Sequence, residues 1–257
     1  MATKLSERQR GLREEFLDAR GYWNENWEEL LTVDEDFFAA YLSFSSVPWK
    51  TGPLEPKVKE FVYIAVDAAA THLFTPGIRS HIKRALELGA TTAEIMEVIE
   101  LTSTLGIHAA NIGVPILVEE LEAAGQTVSR ELDARQQEIK AQFEAKRGYW
   151  NPFWDEILLL APEFFDSYTR FSSIAWENGP LEPKVKELIY TAFDVSCTHL
   201  YVKGLRAHIK NALGYGATRE EIMEVIELAS VVGIHATNVG VPILVEELAA
   251  AGGGSQG

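Results

Sequence analysis

The chain has 257 residues, of which 47% are hydrophobic, and a formal net charge of −15. That length and apolar share suit a globular protein with one large core or two ordinary ones. The charge argues against nucleic acid, whose backbone is bound by clustered Lys and Arg, but leaves room for a small anion, because a local cation governs its own pocket.

Taken in order, residues 6–20 and 129–147 read as charged amphipathic helices, with Ser6 and Ser129 as candidate caps. After GYWNENWEELL and GYWNPFWDEIL comes a short helix with Phe37, Phe38, Tyr41 and Phe44 on one face, matched by Phe164, Phe165, Tyr168 and Phe171. Such a stripe marks core or interface. Trp49 and Trp176 follow in a loop. Pro56 and Pro183 fit the first turn of the next helix, which the pattern carries through Glu60 and Asp67 to about Phe74, with a break at Gly77. A further helix ends at Gly89 or Gly216. The next opens with a capping box, Thr91 with Glu94 or Thr218 with Glu221, and keeps an apolar face past Glu97 to His108 and Asn111. Pro115 is expected to kink or end it. No alternating strand pattern occurs, so the fold class is all-α.

The chain carries this plan twice, at an offset of 127 residues, and 48 of the 70 positions from Gly52 to Leu121 are identical to their counterparts. The expected organisation is a first repeat over 1–127, a second over 128–250 and a disordered tail over 251–257, the two repeats packing as a pseudo-dimer. No apolar run approaches the roughly 20 residues of a membrane span and the N-terminus lacks a leader pattern. A cytoplasmic protein with no membrane partner is the expectation.

All six histidines fall in the repeated stretch: His72, His81 and His108, then His199, His208 and His235. Imidazole titrates nearest neutrality and is a common metal ligand, so the constellation is the leading candidate site. The single cysteine, Cys197, answers to Ala70 and reads as a small buried helix residue. One cysteine allows no intrachain disulfide, CxxC pair or cysteine-based metal cluster.

The runs HIKRALELGATTAEIMEVIE and HIKNALGYGATREEIMEVIE resemble the carboxymuconolactone decarboxylase and AhpD-like superfamily over about residues 50–120 and the matching part of the second repeat. The resemblance implies an all-α fold and a trimer, which a duplicated chain would build as a pseudo-hexamer. The peroxidase branch of that superfamily places a CxxC pair before the histidine that matches His81 and His208; here the stretches are FTPG and YVKG. Thiol peroxidase activity is therefore not expected.

Two chemistries remain open. In a cofactor-free lyase or isomerase acting on a small organic acid or lactone, Arg79 and Arg206 hold a carboxylate, His81 and His208 move a proton, and Glu60 and Glu187 orient the imidazoles. In a metal enzyme, His72, His81 and His108 form one ligand set and His199, His208 and His235 the other, with Asp67, Glu97 or Asn111 in support. Such sets suit Zn, Fe, Ni or Cu. A non-catalytic small-molecule-binding or assembly protein is the third reading. All three require that the imidazoles of one repeat meet around a common hollow.

Overall fold

The computed structural model describes residues 5–24 and 26–253, and among these every regular element is helical. The first repeat contains α1 (Glu7–Arg20), α2 (Asn26–Val33), α3 (Glu35–Ser45), α4 (Val47–Thr51), α5 (Pro56–Ala68), α6 (Thr75–Glu87), α7 (Thr92–Ser103) and α8 (His108–Ala123). The second contains α9 (Ala134–Arg147), α10 (Asp155–Leu160), α11 (Pro162–Asn178), α12 (Pro183–Val195), α13 (Val202–Gly214), α14 (Arg219–Val231) and α15 (His235–Gly253).

Local chemistry explains most boundaries. Ser6 closes a capping box with Gln9 and Gly21 ends α1 at φ 74°. The second such helix is capped not by Ser129 but by Asp133, again in a box, with Gln136. Pro48 separates α3 from α4; its counterpart is Ala175, which keeps its backbone donor, and α11 runs through unbroken. The capping boxes at Thr91 and Thr218 are present as expected.

Further expectations are corrected. Trp49 and Trp176 lie in α4 and α11 and not in a loop. The helix from Pro56 stops at Ala68, not near Phe74, and a tight turn over 69–74 follows with Leu73 at φ 51°. Pro115 does not end α8, which continues past it to Ala123. The anticipated tail is helical to Gly253, and residues 254–257 lie outside those described.

Two helices organise the rest. Every residue of α5 from Val58 to Asp67 and of α12 from Lys186 to Asp194 is buried, the condition of a helix enclosed on all sides, and the two pack on each other. The cores around them are interleaved. Phe16, Trp27, Leu31, Phe38 and Leu42 of the first repeat pack with Val225, Leu228 and Val231 of the second; Ile139, Phe143, Trp154 and Phe165 of the second enclose Ile107 of the first. Each repeat thus lays its last two helices on the aromatic layer of the other.

Buried ion pairs fasten the exchange. Lys59 Nζ lies 2.6 Å from Glu224 Oε1, while Glu224 Oε2 accepts from Leu54 N at 2.7 Å; Lys186, Glu97 and Leu181 repeat the arrangement at the same distances. Glu97 is therefore committed to this joint and is not beside the histidines. The joint also requires glycine at 52 and 179, where a Cβ would stand 2.0 and 2.1 Å from the facing carboxyl carbon.

An 18-residue window within each of the helical paths Thr92–Ala123 and Arg219–Ala251 has a mean hydropathy of 1.4 and 1.7, so by length and composition alone both are long and apolar enough to cross a membrane, where the sequence suggested no such run. Ile112, Ile116 and Leu117 on α8, and Val239, Ile243, Leu244 and Leu248 on α15, are about half exposed and form apolar stripes. The aromatic stripe is split: Phe38 and Phe165 are core, whereas Phe37, Phe44, Phe164 and Phe171 are half exposed.

Candidate functional site

The early stop of α5 decides the site. It sets Asp67 at the end of the buried helix, puts His72 on the following turn and lets α6 return with His81 toward Asp67. Gly77 permits the close approach, because a Cβ there would lie 1.9 Å from Asp67 Oδ2; at Gly204 it would lie 2.2 Å from Asp194 Oδ2. The glycine expected to redirect the chain is instead in the first turn of α6, where it makes space for a carboxylate.

The third histidine comes from the other repeat. His72 Nε2 lies 2.8 Å from His235 Nδ1, and His199 Nε2 lies 2.7 Å from His108 Nδ1. The sets expected from sequence, His72 with His81 and His108, and His199 with His208 and His235, are corrected on this point: His108 and His235 change places. The reason is the interleaving, since α8 starts where the first repeat crosses to the second, and α15 makes the reverse crossing. Phe74 stacks on His235 at 3.8 Å and Tyr201 on His108 at 3.9 Å, fixing the exchanged rings. Asn111 and Asn238 travel with them on the same helices.

Two kinds of arrangement share each centre. The first is a carboxylate–imidazole dyad: His81 Nδ1 to Glu60 Oε2 and His208 Nδ1 to Glu187 Oε2, both 2.6 Å and buried. Such a bond holds the ring in place and leaves Nε2 free to exchange a proton. Tyr63 stacks on His81 at 4.5 Å and Tyr190 on His208 at 4.4 Å.

The second is the histidine pair around an isolated carboxylate. Asp67 is fully buried, and neither of its oxygens has a hydrogen-bond partner among the described residues. His72 Nε2, His235 Nδ1 and His81 Nε2 stand 3.8, 3.6 and 3.9 Å from it, beyond hydrogen-bond range. Asp194 has the same isolation, with His199, His108 and His208 at 3.9, 3.7 and 4.0 Å. Burial pushes both aspartates up to about 7, partly offset by the neighbouring His81 or His208. It drives His235 and His108 down to about 3, aided by the charge of the other imidazoles nearby, and lowers His72 and His199 as well. His235 and His108 are therefore neutral, and each ring pair shares one proton between its facing nitrogens.

A cavity of about 30 Å³, bounded by Tyr22, Phe74, Gly77, Ser80, His81, His235 and Asn238, reaches the first centre. It shares Tyr22, Asn24 and Ser80 with an outer cavity of about 350 Å³ that carries Arg79, Lys83 and Arg84. Arg79 is thus exposed at the approach and not beside the imidazoles; Arg206 is likewise exposed. The cations that are buried near the centres are Arg20 and Arg147, missed in the sequence reading. Arg20 lies 5.3 Å from the ring of Tyr63, and Arg147 reaches Tyr190 and Tyr149 hydroxyls at 3.4 and 3.5 Å. Their signal was the repeated Arg-Gly-Tyr-Trp at 20–23 and 147–150. Cys197 is exposed in the turn before His199, contrary to the buried helical position expected.

A family model described as the carboxymuconolactone decarboxylase family matches residues 35–111 and 162–244, one segment per repeat. A crystal structure from Burkholderia xenovorans, of a protein assigned as a gamma-carboxymuconolactone decarboxylase subunit, is 48% identical, superposes with a TM-score of 0.92, and is covered over 95% of this chain and 98% of its own. A search of curated proteins found no match. With both helical repeats matched and nearly the whole length shared with that structure, the chain belongs to the carboxymuconolactone decarboxylase family.

Proposed function

We propose that the protein is a lyase or isomerase acting on a small organic acid or lactone, with the Glu60–His81 and Glu187–His208 dyads moving a proton to or from substrate carbon. The observation that carries this reading is the buried 2.6 Å bond in each dyad, with the other imidazole nitrogen on the side of Asp67 or Asp194. In an isomerisation, Nε2 of His81 takes a proton from a carbon next to a carbonyl, the electron pair passes into the carbonyl as an enolate, and the proton returns at another carbon. In a decarboxylation the pair left by departing CO2 is delocalised in the same way, and the imidazolium protonates it. General acid–base groups so placed supply about 10²- to 10⁴-fold in rate.

The outer cavity with Arg79, Lys83 and Arg84 supports an anionic substrate despite the overall negative charge. The single cysteine supports chemistry other than thiol peroxidation, which needs an attacking and a resolving thiol. The apolar stripes on α8 and α15 support a homotrimer in which other copies cover them. The test is to incubate the protein in D2O with gamma-carboxymuconolactone and a panel of small lactone and keto acids, following deuterium at carbon and release of CO2. Incorporation that disappears in His81→Asn/His208→Asn is the expected result; incorporation that survives in that variant, or none with any acid of the panel, rejects the reading.

A further inference from the structure

We propose that each centre binds one divalent first-row transition-metal ion between the repeats, through His72 Nε2, His235 Nδ1 and Asp67 in one half and His199 Nε2, His108 Nδ1 and Asp194 in the other. This deepens the reading above and rests on it for the ion's use, though not for its binding.

The geometry is specific. The three donor atoms of the first centre are separated by 2.8, 3.6 and 3.8 Å, and those of the second by 2.7, 3.7 and 3.9 Å. In each triangle the point equidistant from all three atoms lies about 2.0 Å from every one of them, which is the length of a metal–imidazole or metal–carboxylate bond. A simple hydrogen-bonded histidine pair would account for the shortest edge alone. It would not explain a fully buried carboxylate facing three imidazole nitrogens at distances too long for hydrogen bonds, twice in one molecule. An unpaired charge in that position costs several kcal/mol in general, and a cation at the centre of the triangle removes the cost. Two imidazoles and one carboxylate with open positions suit Zn, Fe or Mn.

The dyad stays outside this ligand set. His81 Nε2 faces the other oxygen of Asp67 at 3.9 Å, so the base stands next to the ion and not on it. The ion held there would polarise a substrate oxygen, and His81 would stand beside it to move the proton. Because each site draws ligands from both repeats, neither repeat holds an ion alone.

The experiment uses the full-length chain without a histidine tag, stripped with chelator, dialysed, and titrated with Zn2+ or Mn2+ by calorimetry. Two ions per chain are expected. The number falls to one in His72→Ala, in His235→Ala and in the double variant His72→Ala/His235→Ala, and to none in His72→Ala/His108→Ala, with affinity at an altered site reduced by at least about 100-fold. Ligand sets confined to one repeat require the opposite result for the two double variants, so that pattern overturns the proposal. So does wild-type protein with no saturable binding. Asp67→Asn and Asp194→Asn, which preserve side-chain shape, are each expected to remove one ion and replace any alanine variant that fails to fold; unchanged stoichiometry in both overturns the proposal. Deuterium incorporation on the stripped and reloaded protein separates the two claims. Exchange without bound metal removes the ion and leaves the dyad, whereas bound metal without exchange leaves the ion and removes the proposed chemistry.

Discussion

The centre around His72, His81 and His235 and the centre around His199, His208 and His108 place the same donors within 0.1 Å of the same separations, yet their surroundings have diverged. Phe74 corresponds to Tyr201, Pro76 to Lys203, Ser80 to Ala207 and Arg84 to Asn211. The last exchange touches a working group. Asn211 Nδ2 donates to Glu187 Oε1 at 3.2 Å, whereas Glu60 Oε1 has no hydrogen-bond partner among the described residues. Glu60, Asp67, Glu187 and Asp194 sit on the buried helices α5 and α12, and His72 and His199 on the turns after them, while the outer residues can tune each dyad separately.

That contrast can be broken at the dyads, where the largest effect is expected. Replacing both, Glu60→Gln/Glu187→Gln, should lower turnover by about 10²- to 10⁴-fold. The single variants should leave unequal activities, with Glu60→Gln costing more, because the Asn211 donor on Oε1 of Glu187 draws charge from the carboxylate and weakens the hold of Oε2 on His208. Deuterium incorporation rates for the three variants measure the share of each site; equal shares would show that the Asn211 contact has no catalytic weight.

The next test concerns what the two halves share. Lys59→Met and Lys186→Met each strand a buried glutamate, Glu224 or Glu97, and should destabilise the fold by about 3–5 kcal/mol. Urea denaturation should give nearly equal losses for the two variants and partial recovery on adding Glu224→Leu or Glu97→Leu, which removes the stranded charge but leaves Leu54 N or Leu181 N without its acceptor. Markedly unequal losses would mean that the symmetry of the joint does not extend to its energetics.

A smaller and separable effect is expected at the surface. Ile112→Lys/Ile116→Lys on α8, or Val239→Lys/Ile243→Lys on α15, should shift the proposed trimer toward single chains, as read by light scattering after gel filtration. Each of these apolar side chains stands to contribute up to about 1.5–3 kcal/mol when covered. Wild-type protein that runs as a single chain would refute the assembly. The finest adjustment is Asn211→Ala, which removes one hydrogen bond worth about 1.5 kcal/mol or less. It should move the rate at the second centre less than tenfold, toward that of the first.

Much of the molecule was legible in the sequence because it depends on neighbours along the chain. The 127-residue repeat, the capping boxes at Ser6, Thr91 and Thr218, and the all-helical periodicity are local signals. The pairing of Glu60 with His81, expected as orientation of an imidazole by a carboxylate, is also found, since one helix and its return bring them together. Which repeat supplies the third histidine was not legible. Two copies 48 of 70 identical present nearly the same faces, so packing α15 on the first repeat or on the second satisfies the same apolar pattern. The exchanged packing is seen in the interleaved cores and in the Lys59–Glu224 and Lys186–Glu97 pairs, which link residues far apart in the chain. Sequence by itself determined the helices, their duplication and the identity of the chemically capable side chains. Only the tertiary structure decided their partners, because burial and charge pairing act on surfaces that meet after folding and carry no record of their separation along the chain.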